Sequence, residues 1–136
     1  MKVLLSATLL FAIQWVQAQE HTLKVKITGI KEIKGKIGVC LLTDESEFLG
    51  ACSDFTEMAV TANEMVFTKE GLAAGSYVLT LYHDANNNGE LDTNLLGLPK
   101  ERYGFSNNPS TFFGPPSYSK CLFEVKEDTQ VTVRLK

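Results

Sequence analysis

Leu72-Ala73-Ala74-Gly75-Ser76-Tyr77-Val78-Leu79-Thr80-Leu81-Tyr82 is the stretch on which the fold turns. Its second half, Tyr77 to Tyr82, is dense in aromatic, β-branched and aliphatic side chains, the composition of a well-packed strand. Its first half brings a leucine, then a glycine, then a tyrosine to the mouth of that strand. This is the layout of the tyrosine corner of Greek-key sandwiches, in which the Tyr hydroxyl bonds back to backbone a few residues upstream. Gly75 is expected to permit the tight turn.

Outward from Tyr77, alternation with a period of two dominates. Leu23-Lys24-Val25-Lys26-Ile27-Thr28 alternates apolar with polar, as a half-buried strand does. Gly35 to Leu42 begins the same way and becomes continuously apolar, which places it more centrally. Met58 to Thr61 and Glu64 to Thr68 read as a short pair joined by Ala62-Asn63. Cys121 to Val125 and Val131 to Leu135 complete the set, with a turn at Glu127-Asp128. No stretch holds a helical period, and Glu45 to Cys52 supports one helical turn at most. The expected architecture is all-β: an antiparallel Greek-key sandwich, immunoglobulin-like or prealbumin-like, of about seven strands. Asp84 to Ser119 lacks a clear strand, and so long an excursion in a small domain is either functional or tied down by something else.

The chain has 136 residues, with 13 Lys+Arg against 16 Asp+Glu and a net charge of −3. That length carries one domain, and the acidic balance argues against a nucleic-acid binder held by phosphate neutralisation. Met1-Lys2, the apolar run Val3 to Ile13 and the small residue closing Val16-Gln17-Ala18 have the layout of a secretory signal. The apolar run is too short for a membrane span. Residues 1–18 are therefore expected to be a signal peptide and 19–136 a single sandwich domain, exported to the periplasm or beyond. Loss of Lys2 leaves twelve basic against sixteen acidic side chains, a net charge of −4. Gln19, not cysteine, follows the cut, so lipid attachment there is not expected.

Cys40, Cys52 and Cys121 remain after processing. An odd number forces at least one to stay free or to pair between chains. One disulfide with a buried thiol, or three buried thiols, both fit the sequence. No catalytic thiolate is indicated, because no His or cationic cluster accompanies any of the three.

Chemistry concentrates in Asp84-Ala85-Asn86-Asn87-Asn88-Gly89-Glu90-Leu91-Asp92-Thr93-Asn94. Oxygen-bearing side chains recur at alternate positions and glycine stands sixth, the spacing by which a loop curls around Ca²⁺. The expected ligands are Asp84, Asn86, Asn88, Asp92 and the Glu90 carbonyl, with Leu91 anchoring the loop. Leu95 stands where a bidentate Glu belongs, so the last ligand must come from elsewhere, and Glu101 is the candidate. With only two clear loop carboxylates, the affinity expected is weak, on the order of 10⁻⁴ to 10⁻³ M, suited to a structural staple outside the cell. The competing account is a metal-free turn built on Asx hydrogen bonds.

The run His83-Asp84-x-Asn86-x-Asn88-Gly89-x-Leu91-Asp92-x-Asn94, followed by Gly97-x-Pro99-x-Glu101-x-Tyr103-Gly104-Phe105-Ser106-Asn107, resembles a bacterial family known as domain of unknown function 2141. Leu72-x-x-Gly75-x-Tyr77 and the Pro116-Ser117-Tyr118 to Val125 stretch fit the same pattern. The resemblance implies an exported, sandwich-like domain and no established activity. Small sandwiches of this kind also look like transthyretin-type and carboxypeptidase-regulatory modules. One transthyretin-like branch is hydrolytic and ends in Tyr-Arg-Gly-Ser, whereas this chain ends Val133-Arg134-Leu135-Lys136. The expected function is a non-catalytic, envelope-associated binding module, with no catalytic residue nominated. It is expected to be monomeric and to take a glycan, a peptide or an envelope protein as partner. The alternative is a small periplasmic hydrolase using His83 and the loop carboxylates, although neighbouring strand residues such as His83 and Asp84 point to opposite faces.

Overall fold

The computed structural model describes residues 18–136, so the signal-peptide expectation falls almost entirely outside the described residues. Eight strands, β1 (Glu20–Thr28), β2 (Lys36–Leu42), β3 (Phe55–Ala59), β4 (Met65–Ala73), β5 (Gly75–Asp84), β6 (Tyr103–Phe105), β7 (Phe123–Val125) and β8 (Thr129–Arg134), form two sheets. One sheet has the order β4-β1-β8. The other runs β3-β2-β5-β6, with β7 also pairing β5. The sandwich is all-β, as the alternation required.

The tyrosine corner is present, and it marks where the chain changes sheets. β4 belongs to the three-stranded sheet and β5 to the other, with Ala74 alone between them. The Tyr77 hydroxyl donates to the Ala73 carbonyl at 2.7 Å, pinning that crossing. The left-handed residue near this corner is Gly71 (φ 73°), not Gly75. Gly75 therefore does not supply the turn by a positive φ.

β1 places Leu23, Val25 and Ile27 at 0% exposure between the sheets. Each such burial stabilises the fold by roughly 1.5–3 kcal/mol. β2 contributes Ile37, Val39 and Leu41 to that core, and β5 contributes Tyr77, Leu79 and Leu81. The alternate residues Cys40, Leu42 and Val78 lie on the far face of the same sheet. They form a second cluster with Phe105, Tyr118 and Cys121. Covering on both faces is why β2 and β5 read as continuously apolar.

Three expectations are corrected. Met58–Thr61 and Glu64–Thr68 do not form a pair: β3 pairs with β2, β4 pairs with β1, and the two lie in different sheets. Cys121 is not on a strand but ends a short helix, α1 (Tyr118–Cys121), and its side chain joins the outer cluster. One strand pair, β1 with β8, is parallel. Period-two patterning fixes which face is buried and is blind to strand direction and partner.

The long excursion also contains a strand. β6 pairs with Thr80–Tyr82, and β7 pairs with Gly75–Tyr77, along the same edge of β5. Ser106 bridges the two segments: its N–H donates to the Leu79 carbonyl, and its hydroxyl accepts the Leu79 N–H, both at 3.0 Å. β6 and β7 thus act as one edge strand interrupted by residues 107–122. Among the described residues no helix is long and apolar enough to cross a membrane.

Candidate functional site

Asp84 ends β5 and starts the asparagine-rich loop. It is only 1% exposed. Its Oδ1 accepts the Asn88 N–H at 3.1 Å and its Oδ2 the Gly89 N–H at 2.8 Å. Asn86 Oδ1 accepts the Asn88 N–H, and Asn88 Oδ1 accepts the Glu90 N–H. These are Asx turns, and they need the left-handed backbone found at Asn87 (φ 58°) and Gly89 (φ 80°).

Glu101 closes the loop. Its Oε1 accepts the Ala85 N–H at 2.9 Å and its Oε2 the Asp92 N–H at 3.1 Å. One carboxylate thereby ties together the two ends of the turn that Leu95 leaves unclosed. The structure gathers Asp84, Asn86, Asn88, Asp92 and Glu101 into one network, while the Glu90 side chain is exposed. Asn94 turns away: its Oδ1 accepts the Leu96 and Leu98 N–H groups. Among the described residues no group of three His, Cys, Asp or Glu side chains converges as it would on a bound metal.

The chemistry of the donor set bears directly on the cation expectation. Asp92 receives the Asn86 Nδ2–H at 2.5 Å and the Asn88 Nδ2–H at 2.7 Å. These amide hydrogens fill the electropositive role that a cation would take. The Asn86 and Asn88 amide oxygens each accept one backbone N–H and keep a second lone pair, so with the carboxylates of Asp84, Asp92 and Glu101 the loop offers the all-oxygen donor set that Ca²⁺ takes.

The Gly97–Asn108 stretch divides into two parts. Leu95, Leu96 and Leu98 stand exposed at the tip of a small hairpin closed by the Thr93–Pro99 bridge. Ser106, Asn107 and Asn108 form a clamp instead. Asn107 donates to the Lys120 and Leu122 carbonyls, and Asn108 donates to the Thr132 carbonyl and accepts the Arg134 N–H. That part of the stretch holds three segments of chain together.

His83 faces away from Asp84. Its ring nitrogen lies 2.8 Å from the Lys34 carbonyl, and the residue is 4% exposed. That contact ties the ring to the segment between β1 and β2.

Sequence reasoning missed a groove of about 460 Å³ on the outer face of the larger sheet. Cys40 and Thr80 form its floor, paired across β2 and β5. The rings of Phe55, Tyr82, Tyr103 and Phe105 surround it. Phe55 and Tyr82 stack with ring centres 6.3 Å apart, which only Gly38 allows, since a Cβ there would meet the Tyr82 ring at 2.5 Å. A glycine inside an apolar strand was the available signal for such a close approach.

Two walls frame the groove. One is the Leu49–Cys52 turn, held by a Cys40–Cys52 disulfide and by Glu47, whose carboxylate receives the Ser53 N–H and hydroxyl. The other is Leu91, from the asparagine-rich loop, so Leu91 anchors the loop onto the groove and not into the inter-sheet core. The Tyr82 hydroxyl donates to the Gly89 carbonyl at 3.2 Å, linking loop and groove directly. Burial, then the carboxylates of Asp84, Glu57, Glu101 and Glu90, push the Tyr82 phenol above its usual range.

A family model described as an uncharacterised protein conserved in bacteria, domain of unknown function 2141, matches residues 25–133. Neither a curated protein nor a solved structure matches the chain.

Proposed function

The chain belongs to this uncharacterised bacterial family, and we propose that it works as an exported, non-catalytic binding module whose outer-sheet groove is braced by a Ca²⁺-stapled loop. The observation that carries this proposal is the shared architecture of loop and groove. Glu101 bridges the ends of the Asp84–Asp92 turn, and Leu91 and Tyr82 pass from that turn into the groove wall. An ion held by Asp84, Asn86, Asn88, Asp92, the Glu90 carbonyl and Glu101 would fix one wall of the binding surface. The disulfide fixes the other.

Calorimetric titration with Ca²⁺, followed by NMR, tests it. The expected result is one ion per chain with a Kd on the order of 10⁻⁴ to 10⁻³ M. Resonances of residues 84–92 and Glu101 should shift first, and those of Leu91 and Tyr82 with them. Absence of heat and of shifts at about 10 mM Ca²⁺, well above that range, leaves the loop as a metal-free Asx turn.

A further inference from the structure

We propose that the outer-sheet groove binds a small organic cation, a ligand bearing a quaternary or primary ammonium group. This rests on the binding-module proposal and supplies its ligand chemistry. Phe55, Tyr82, Tyr103 and Phe105 bring four aromatic rings to one concavity. Ring faces carry negative quadrupole charge, and several around one site attract a cation more strongly than a neutral group of the same shape.

The charges agree. Among the described residues lining the groove none is basic, and Glu47 is the one charged side chain. Lys36, on the same face of β2 as Gly38 and Cys40, is already paired with Glu57 at 3.1 Å. Glu47 lies on the wall opposite the asparagine-rich loop and its carboxylate bonds only Ser53, so an ion in that loop leaves its charge in place. The same lining argues against other ligands. An anion finds no Lys or Arg. A sugar needs many free polar partners, and the Tyr82 hydroxyl is committed to Gly89. The volume, about 460 Å³, suits a small molecule more than a chain.

Three isosteric probes test the proposal by NMR titration of the full mature chain: choline, its neutral carbon isostere dimethylbutanol, and the anionic dimethylbutyrate. Choline should shift Tyr82, Tyr103 and Phe105 resonances saturably and bind about tenfold more tightly than the neutral isostere, as expected for a partly desolvated cation–π site. Dimethylbutyrate should bind most weakly. Tyr103→Leu and Glu47→Gln should each weaken choline several-fold in protein that still unfolds cooperatively and keeps its inter-sheet core resonances. Tyr82→Phe, which keeps the ring, should retain binding. Equal affinity for choline and dimethylbutanol overturns the cation proposal and leaves the binding module standing. Tighter binding of the anion does the same. Choline binding unchanged in both Tyr103→Leu and Glu47→Gln places the ligand elsewhere and also overturns it. No saturable shift from any probe removes both this inference and the groove's role as a binding site.

Discussion

Replacing Glu101 with glutamine separates the two jobs assigned to its carboxylate. In the unmutated chain the two oxygens accept the N–H groups of Ala85 and Asp92. Glutamine offers one carbonyl oxygen, and its amide then points N–H hydrogens at a second N–H donor. Losing one charge-assisted bond and leaving one donor without an acceptor costs about 1.5–3 kcal/mol. Glu101 is half-buried, so the lower end applies. For a domain of this size that lowers the melting midpoint by roughly 5 °C in chelator. Calcium acts separately. At about ten times Kd it stabilises the native state by RT ln 11, or about 1.4 kcal/mol, raising the midpoint by a further 5 °C or so in the unmutated chain. The Gln variant at the same calcium concentration should gain about 1 °C or less. Four melts, two proteins each with chelator and with millimolar calcium, read both effects at once. Identical midpoints for the unmutated chain in the two conditions refute ion binding. Equal calcium increments in both proteins refute Glu101 as a ligand, and no loss in chelator refutes the loop-closing bridge.

Other outcomes follow from neighbouring features. Asp84→Ala should abolish the calcium increment and also destabilise the chelated protein, because it strands the Gly89 N–H and leaves the Asn88 N–H only the Asn86 oxygen; melts in both conditions show this. Reducing the Cys40–Cys52 bond should cost about 2–4 kcal/mol, the chain-entropy value for a loop this short, measured by denaturant titration with and without reductant. Thiol titration should find no fast-reacting group in the native state and one, Cys121, after unfolding without reductant. Burial pushes the Cys121 thiol up, so the folded chain keeps its proton after the unfolded chain has lost it. Stability is then full below about pH 8.5 and falls as pH rises past it, and Cys121→Val should remove that part of the fall. Gly38→Ala should cost about 1–3 kcal/mol and weaken the near-UV circular dichroism of the groove tyrosines, since its Cβ would meet the Tyr82 and Phe55 rings.

The candidate site was partly legible in the sequence for a local reason. Asp84, Asn86, Asn88 and Asp92 lie within nine residues, so their spacing alone dictates that they share one turn. Glu101 could be nominated because the loop visibly lacked a closing carboxylate. The groove was not legible. Phe55, Cys40, Thr80 and Phe105 come from four strands and meet only through register: Cys40 opposite Phe55 and Thr80, and Thr80 opposite Phe105. The pairing of Cys40 with Cys52 was equally closed to sequence reasoning, which left one disulfide or three buried thiols open.

What the sequence determined by itself is what depends on neighbours along the chain: the alternation that buries Leu23, Val25 and Ile27, the tyrosine corner at Tyr77, and the Asx-rich turn after Asp84. Tertiary structure decided which strands pair and in which direction. It set β8 parallel to β1, split the β3–β4 pair between sheets, and recruited Tyr103–Phe105 as a strand inside an apparent loop. The physical reason is that side-chain periodicity records only which face meets apolar surface, while partner and direction follow from long-range closure. Cys121 shows the difference. Alternation would put it on one inward face with Phe123 and Val125, yet those two pack in the inter-sheet core while Cys121, at the end of α1, is buried on the outer face of the sheet.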